Sequence, residues 1–573
     1  MNNDEFYIRD RDHYLNKILN SDAPRKLIIA GPGTGKTHTF KKLLEKSSKS
    51  SGKKGLVITF IKNLVNDLDR DLKDLADVRT FHSFCRFQIT KIKRPHFEYY
   101  PNLLRIIEKD LSILDPSYKK EKTKLDSYFF ELKEKMIDKA LKIGDYYNAV
   151  GHTDSVYRVY KYYELHPEKI PEYPILLVDE YQDFNLLETK LIEKLTSKNP
   201  ILIVGDDDQA LYTFKNSKPD FLRNLVKDEK YEKFSLPYCQ RCTKVIVGAV
   251  NKIIEVSKKS GCLKGRIDKP FKYFPPKKGK DSEENPKIIN ILCSIEKKNC
   301  PYAAKYIMNE IINMPDEYRK EALNNQEPAA LVIGPKQFLD NAMDFLRKNK
   351  NYLGENGWFI QEKKDKDGMV HILDGYKLLF SNLNSRLGWR IILDRELTFI
   401  NNLKEALAKG KELIELIDEK SRRLHLQILM ALKKINNQEH ISNDEKELLK
   451  NRIGLSPDDI KIYLENVTDE CAQESQNNLK ILCTSFEGSK GLAAQYVFIL
   501  GLNQGHFPRQ IPPRDIDIYR FIVALTRARK RSYVISYGFF GKGSLNESIF
   551  LNYIKDSLSD PIFINKDYVK KFL

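Results

Sequence analysis

The sequence predicts an α/β protein built from two parallel-sheet domains, each interrupted by a helical insertion. Two observations support this fold class. Short apolar runs with the length of buried strands alternate with amphipathic stretches, which is the pattern of βαβ units. Within each of the two groups of strand-like runs lies a long, charge-rich stretch with helical spacing.

The composition is that of a globular protein with a basic surface. The 573 residues are 41% hydrophobic and 31% charged, and their number predicts roughly three or four domains. A net charge of +18 favours a nucleic-acid partner, although a lysine-rich proteome would give the same excess. We find no apolar leader, no run long enough to span a membrane and no disulfide framework among the eight cysteines. We therefore expect a cytoplasmic protein without a membrane partner.

The first domain begins with a βαβ unit. The apolar runs RKLIIA (25–30) and GLVITF (55–60) predict strands, and HTFKKLLEK between them predicts a helix. Two further strands are predicted at YPILLVDE (173–180) and PILIVGDD (200–207). We assign residues 1–85 and 171–250 to this domain and the helical residues 86–170 to its insertion.

The second domain follows PPKKGKDSEENP (275–286), a stretch that predicts a linker or exposed loop. Strand-like runs resume at KIINILCS (287–294), AALVIG (329–334), LKILCTS (479–485), YVFILG (496–501) and RSYVIS (531–536). We assign residues 251–394 and 476–573 to this domain. Residues 395–475 have helical spacing almost throughout and form its insertion.

The glycine loop AGPGTGKT predicts a phosphate site, because its backbone N–H groups and the start of the following helix can bind phosphate oxygens. Lys36 would reach the β- and γ-phosphates, and Thr37 would bind Mg²⁺. The first glycine of the usual motif is replaced by Ala30. The residues expected to hold the nucleotide are Ala30, Gly31, Pro32, Gly33, Thr34, Gly35, Lys36 and Thr37.

A second motif, LLVDEYQDFN (176–185), places two carboxylates at the end of an apolar strand. Asp179 is in the position to hold Mg²⁺, and Glu180 can orient and deprotonate the attacking water. Together with the glycine loop, this motif predicts hydrolysis of a Mg²⁺–nucleoside triphosphate. The two motifs alone do not indicate what the hydrolysis drives.

Further motifs resemble, in order, those of superfamily 1A DNA helicases of the UvrD/Rep/PcrA type. They are TFIKN (59–63), TFHSFC (80–85), DEYQD (179–183), VGDDDQALYTF (204–214), SLPYCQRCT (235–243), TSFEGSKGL (484–492) and YRFIVALTRARKR (519–531). The resemblance implies two RecA-like domains with ATP and Mg²⁺ bound between them. It also implies movement along single-stranded DNA in the 3′→5′ direction, single-strand/duplex junctions as substrates, and a role such as DNA repair.

The resemblance assigns further residues to the nucleotide. Gln209 would sense the γ-phosphate, and Arg241 and Arg527 would stabilise charge on the transferring phosphoryl group. Lys490 and Gly491 would lie near the nucleotide. The expected catalytic residues are Lys36, Asp179, Glu180, Gln209, Arg241 and Arg527.

The same motifs imply a path for single-stranded DNA, which requires phosphate contacts and aromatic stacking. The expected DNA-binding residues are Thr59, Phe60, His82, Tyr212, Phe214 and Thr484. Ordinary packing is the alternative interpretation for each aromatic side chain.

The chain departs from the family at the base and ribose end of the nucleotide. No glutamine occurs before Gln88, Gln240 stands where the family has a stacking tyrosine, and Ala493 replaces a glutamate near the ribose. An extra residue also stands between Thr484 and Lys490. We therefore expect the purine pocket to be built differently.

The second insertion is shorter than the 2B subdomain of the family, which suggests an alternative function. This alternative is an NTPase switch that senses DNA ends and regulates a partner nuclease, as in anti-phage systems such as Gabija. No nuclease-like cluster follows Arg531, so a fused nuclease is not expected. A third hypothesis, action on RNA, lacks an RRM or KH signature.

Cys239 and Cys242 have the Cys-x-x-Cys spacing of half a zinc site or of a redox pair. Only Cys262 lies near enough in sequence to add a ligand, and a structural zinc site needs four. Aligned to the family motif, both cysteines instead replace small polar residues beside Arg241. We therefore expect no metal here.

Overall fold

The computed structural model describes residues 3–59, 72–92, 97–115, 117–118, 123–277, 280–297, 300–361, 370–396, 398–465, 478–541 and 543–572. Two parallel sheets form its framework, which confirms the predicted α/β class. No helix in these ranges is both long enough and apolar enough to cross a membrane.

The first sheet has six strands: β1 (Arg25–Ala30), β2 (Gly55–Thr59), β3 (Ala76–Thr80), β4 (Leu176–Val178), β5 (Ile201–Gly205) and β6 (Glu232–Leu236). Their spatial order is β3-β2-β4-β5-β1-β6. All neighbouring pairs run parallel, with Ile28 opposite Val204 and Thr59 opposite Thr80. The carboxyl ends of these strands therefore meet at one edge of the sheet.

The second sheet has seven strands: β7 (Ile289–Cys293), β8 (Ala330–Ile333), β9 (Trp358–Gln361), β10 (Leu479–Thr484), β11 (Ala494–Leu500), β12 (Ala528–Tyr537) and β13 (Ile562–Ile564). Their order is β9-β10-β8-β11-β12-β7-β13, and all neighbouring pairs again run parallel. Alternate residues of the central strands belong to two apolar clusters, one on each face of the sheet.

Helices cover both sheets and form the insertions. Those on the chain up to the first insertion are Asn3–Asn20, Lys36–Ser51 and Phe81–Ile92; the first insertion adds Leu103–Leu114, Leu125–Phe130, Glu134–Tyr146 and His152–Leu165. The rest of the first half contains Leu186–Thr196 and Pro219–Lys227. Around the second sheet lie Lys244–Lys259, Asp281–Glu284, Tyr302–Ile312, Asp316–Asn324, Lys336–Lys348, Lys350–Glu355, Asp515–Leu525, Ile549–Tyr553 and Lys566–Val569. Between β9 and β10 lie Ile372–Ser381, Arg386–Leu393, Phe399–Lys409, Glu419–Asn436, Asn443–Ile453 and Pro457–Glu465, and these helices are called the second insertion from here on. The first two precede residue 395, the predicted start of the insertion.

The two insertions pack against each other. Their buried side chains form a single apolar cluster with one face of the first sheet. At the contact, Arg390 of the second insertion pairs with Asp110 of the first at 2.5 Å, and both side chains are buried. The Tyr147 hydroxyl donates to the same carboxylate at 2.7 Å. The contact between the insertions therefore contains a buried ion pair, and removal of one partner alone would leave a buried charge unpaired.

The predicted domain boundaries stay predictions, but two helices lie across them. The helix Phe81–Ile92 crosses the predicted boundary at residue 85. The helix Lys244–Lys259, which the predicted boundary at residue 250 divides, packs as a whole in the apolar cluster of the second sheet. Cys239 and Cys242 belong to the same cluster.

Candidate nucleotide site

A cleft of about 760 Å³ lies between the two sheets. The side of the first sheet lines it with Pro32, Gly33, Thr34, Gly35, Lys36, Thr37, Asp179, Glu180 and Gln209. The side of the second sheet lines it with Gln240, Arg241, Asp281, Glu321, Asn325, Gly491, Arg527, Arg529 and Lys530. Both groups of predicted catalytic residues therefore face one space. None of the described residues that line it is aromatic.

The glycine loop requires glycine at Gly33. Its φ is +69°, and a Cβ atom there would lie 2.5 Å from Cβ of Arg241, across the cleft. The backbone N–H of Gln240 donates to the carbonyl of Gly33 at 2.8 Å. The phosphate loop and the segment that carries Arg241 are thus in direct contact. Ala30 ends β1 and Gly31 packs against the ring of Phe271, so neither of these two lines the cleft.

The two carboxylates after β4 have different surroundings. Lys36 Nζ lies 2.6 Å from Glu180 Oε1 and 4.0 Å from Asp179 Oδ1. Burial alone would raise the pKa of Glu180, but Lys36 and Lys490 hold it below its usual value. Burial raises the pKa of Asp179, against the opposing effect of Lys36. Glu180 has a left-handed backbone (φ +53°), which is rare outside glycine and typical of functional positions.

A chain of side-chain contacts connects Glu180 with the opposite wall. Gln182 Nε2 donates to Glu180 Oε2 at 2.6 Å, and Gln182 Oε1 accepts from the N–H of Asp206 at 2.9 Å. Asp206 accepts from Gln209 Nε2 at 2.7 Å, and Gln209 Oε1 accepts from Arg527 Nη2 at 3.4 Å. Gln209 therefore joins the carboxylate side of the cleft to the arginine side.

Two arginines lie on the opposite wall. Arg527 donates to the carbonyls of Val523 at 2.9 Å and Leu492 at 3.1 Å, which fix its guanidinium. Arg241 donates to the carbonyl of Thr526 at 3.5 Å. Burial, and then the nearby charge of Arg241, lower the pKa of Arg527. Two like charges held together in a buried site favour an anion between them.

Oxygen ligands suitable for Mg²⁺ are present in the cleft. The Thr37 hydroxyl and the Asp179 carboxylate are hard oxygen donors, the type that Mg²⁺ prefers beside phosphates. A different cluster, Asp206, Asp207 and Asp208, has carboxylates within 4.8 Å of one another. The ammonium of Lys269 lies among these three, at 2.7 Å from Asp206 and 3.0 Å from Asp208. This cluster therefore has an internal cation in place of a metal.

Lys490 does not line the cleft, although the neighbouring Gly491 does. Its ammonium forms an ion pair with Asp183, lies 3.2 Å from Glu180 Oε2 and donates to the carbonyl of Gln209 at 2.7 Å. The expectation that Lys490 binds the nucleotide stays a prediction.

The predicted DNA-binding residues are spread along the same edge of the sheets. Thr59 ends β2, Thr484 ends β10, and the Tyr212 hydroxyl donates to the carbonyl of Glu487 at 3.3 Å. The ring of His82 lies 4.9 Å from that of His152, a residue of the first insertion. Phe60 and the side chain of Phe214 lie outside the described residues.

Among the residues that the structure describes, Cys239 and Cys242 group with no further metal ligand. Cys239 and Cys242 are buried, with the N–H of Cys242 3.4 Å from the Cys239 sulfur. Cys262 bonds instead to the carbonyl of Pro513 at 3.3 Å. Within the described ranges, no cluster that could hold a metal contains a cysteine.

Several charged residues of the cleft belong to no motif and could not be predicted from the sequence. Asp281 comes from the stretch interpreted as a linker, and it pairs at 2.8 Å with Lys530. Lys530 pairs at the same distance with Glu321. Charged residues of this kind give no motif, and only the folding of distant segments brings them together.

Known proteins resemble this chain over most of its length. A family model described as an AAA domain matches residues 16–215. A probable DNA helicase II homolog from Mycoplasma capricolum subsp. capricolum is 24% identical, over 96% of this chain and 84% of that protein. The ATP-dependent DNA helicase PcrA of Staphylococcus aureus is 22% identical, over 93% and 84%. The ATP-dependent DNA helicase Rep of Buchnera aphidicola is 27% identical, over 62% and 61%.

These matches give no support to the likeness to Gabija or to a role in antiviral defence. The residues matched by the family model, 16–215, include the glycine loop and the carboxylates Asp179 and Glu180. The chain is thus a distant homologue, over most of its length, of UvrD/PcrA/Rep-like superfamily 1 DNA helicases.

Proposed function

We propose that this protein is an ATP-dependent DNA helicase or translocase that moves along single-stranded DNA. The observation that carries the proposal is the cleft, which is lined by a phosphate loop and carboxylates on one side and by Arg241 and Arg527 on the other. A triphosphate in this space would contact both halves of the molecule. Its hydrolysis can therefore change their relative position.

Different residues of the cleft have different roles in the proposed hydrolysis. The glycine loop and Lys36 bind the phosphates, and Glu180 orients the attacking water and accepts its proton. Arg241 and Arg527 stabilise the charge that develops on the transferring phosphoryl group. Mg²⁺, held by Thr37 and Asp179, would neutralise phosphate charge. Gln209, bonded to Arg527, reports the occupancy of this site to the rest of the first domain.

The proposed movement of the two domains follows from the preference of the nucleotide for the form in which the cleft is closed. A nucleotide that contacts both walls binds the closed form more tightly and shifts the population toward it. Thr59, His82, Tyr212 and Thr484 would hold the strand while the domains move, and a 3′→5′ direction follows the family resemblance. Junctions between single strand and duplex are the expected substrates.

A second candidate is an NTPase switch that senses DNA ends beside a partner nuclease. The packing of the second insertion on the first favours this candidate, because the two insertions share one buried apolar cluster and the Arg390–Asp110 ion pair. A strongly fixed insertion would limit unwinding by the isolated chain.

The experiment compares hydrolysis of Mg²⁺–ATP with single-stranded DNA, duplex DNA and RNA, in the wild type and in Lys36→Ala. We expect stimulation by single-stranded DNA and loss of hydrolysis in the variant. Displacement from duplexes with a 3′ or a 5′ tail measures direction. Hydrolysis without strand displacement would favour the switch, and no stimulation by any nucleic acid would contradict both.

A further inference from the structure

Lys490 crosses from one half of the molecule into the other. It follows the turn Glu487–Ser489, which comes after strand β10 of the second sheet. Its side chain is 1% exposed. All three groups that its ammonium contacts, namely Asp183, Glu180 and the Gln209 carbonyl, belong to the first half.

These contacts direct the ammonium toward the first half. Lys490 donates hydrogen bonds to Asp183 and to the Gln209 carbonyl, and its ammonium forms an ion pair with Glu180 at 3.2 Å. Lys490 is absent from the residues that line the cleft, so we expect its effect on the reaction to pass through a neighbour.

Glu180 is that neighbour. One of its oxygens accepts from Lys36 at 2.6 Å. The other accepts from Gln182 at 2.6 Å and lies 3.2 Å from Lys490. Glu180 is thus held between a lysine of the phosphate loop and a lysine of the opposite half, and any shift of Lys490 changes the position and charge balance of its carboxylate.

The segment that carries Lys490 also contacts Tyr212. The ring centroid of Tyr212 lies 5.7 Å from the Lys490 ammonium, and its hydroxyl donates to the carbonyl of Glu487 at 3.3 Å. Tyr212 is one of the residues expected to contact the DNA strand. A base that stacks at Tyr212 therefore acts on the turn that places Lys490.

We propose that Lys490 is a positioning residue that holds Glu180 and transmits the binding of a DNA strand at Tyr212 to the hydrolysis step. The proposal rests on the proposed function and extends it. In this proposal Lys490 acts through the carboxylate of Glu180, from outside the lining of the cleft.

The test uses the full chain and Lys490→Met, which keeps the length of the side chain and removes its charge. Steady-state hydrolysis of Mg²⁺–ATP is measured with and without saturating single-stranded DNA, and nucleotide affinity is measured with a fluorescent ATP analogue. We expect the strand-stimulated kcat to fall at least about tenfold, with nucleotide Kd changed less than about twofold. Lys490→Arg should recover part of the stimulated kcat. Lys336→Met, at an exposed lysine on the second-sheet side, is the matched control and should behave as the wild type.

Two further variants keep the test decisive. Lys490→Met leaves Asp183 buried without its cation, so Lys490→Met/Asp183→Asn repeats the measurement with that carboxylate removed. Tyr212→Phe keeps the ring, loses the bond to Glu487 and should lower the stimulated kcat in the same direction. If Lys490→Met and Lys490→Met/Asp183→Asn both fail to fold, the stimulated kcat of Tyr212→Phe decides whether the proposal holds.

Two results would overturn the proposal: a stimulated kcat equal to that of the wild type, or a loss confined to nucleotide affinity. Failure of the proposed function is distinct from either result, because it would show in the wild type as hydrolysis without any response to DNA.

Discussion

Replacing Lys269 tests whether its ammonium neutralises the buried aspartate cluster as a bound metal ion would. Three carboxylates, those of Asp206, Asp207 and Asp208, surround its Nζ, and the Lys269 side chain is 6% exposed. The carboxylates raise the pKa of Lys269 against the opposing effect of burial. The lysine is therefore charged when the protein is folded.

The magnitude follows from the charges in the cluster. Arg266 forms two bonds of 2.8 Å to Asp208, and Arg223 donates to Asp207 at 3.1 Å. Three cations thus balance three carboxylates, and removal of Lys269 leaves one buried negative charge without a balancing cation. Breaking a buried pair in this way costs about 3–5 kcal/mol of the free energy of unfolding.

Lys269→Ala opens space among three oxygen ligands of the type that Mg²⁺ and Ca²⁺ prefer. We expect thermal unfolding at a lower temperature in this variant and partial recovery with millimolar Mg²⁺ or Ca²⁺. A cation at a hundred times its Kd restores about 2.7 kcal/mol. Lys269→Met fills the space with an apolar chain and is the matched control, which should be destabilised without recovery. Equal stability of Lys269→Met and the wild type would refute the charge argument, and equal recovery in both variants would refute the cation site.

Three other predictions concern the cleft, the insertions and a buried carboxyl group. Arg241→Ala should lower the rate of ATP hydrolysis at least about a hundredfold, whereas Cys239→Ser and Cys242→Ser should largely retain it; stoichiometric zinc in the wild type together with inactive serine variants would reverse this expectation. Arg390→Met should lower the free energy of unfolding by about 3–5 kcal/mol, and Arg390→Met/Asp110→Leu should recover most of it. Calorimetry measures both variants, and a stability of Arg390→Met equal to that of the wild type would contradict this prediction. Burial raises the pKa of Glu296 from 4.5 to about 8, so the folded state binds its proton more tightly and stability should fall as pH rises through this interval. Glu296→Gln should lose that slope in denaturant titrations, and an unchanged slope would show that other groups produce it.

The central strands could be predicted from the sequence, and the edge strands could not. The runs RKLIIA and YVFILG are apolar because β1 and β11 have neighbours on both sides and helices on both faces. The four strands that the apolar pattern missed, β3, β6, β9 and β13, are the outermost strands of the two sheets. An edge strand is partly exposed, as in the half-buried Ala76–Thr80, and its mixed composition resembles a loop.

A similar division holds for the site. Lys36, Asp179 and Glu180 belong to short motifs in which local backbone geometry fixes the chemistry, so their proximity could be predicted. Lys269 could not, because about sixty residues separate it from its aspartates. Nothing in the sequence around Lys269 indicates that its charge will be buried.

The contact between the insertions is a second connection between the two halves of the molecule. The first insertion belongs to the chain of the first sheet, and the second lies between strands β9 and β10 of the second sheet. The halves thus meet twice, once across the nucleotide cleft and once at Arg390 and Asp110. Because the halves are connected at both places, a rotation at the cleft requires a change at the insertion contact or in the segments that lead to it. In the proposed cycle, opening of the cleft would either bend the connections to the insertions or strain the buried Arg390–Asp110 ion pair, so the insertion interface would limit how far the two sheets move.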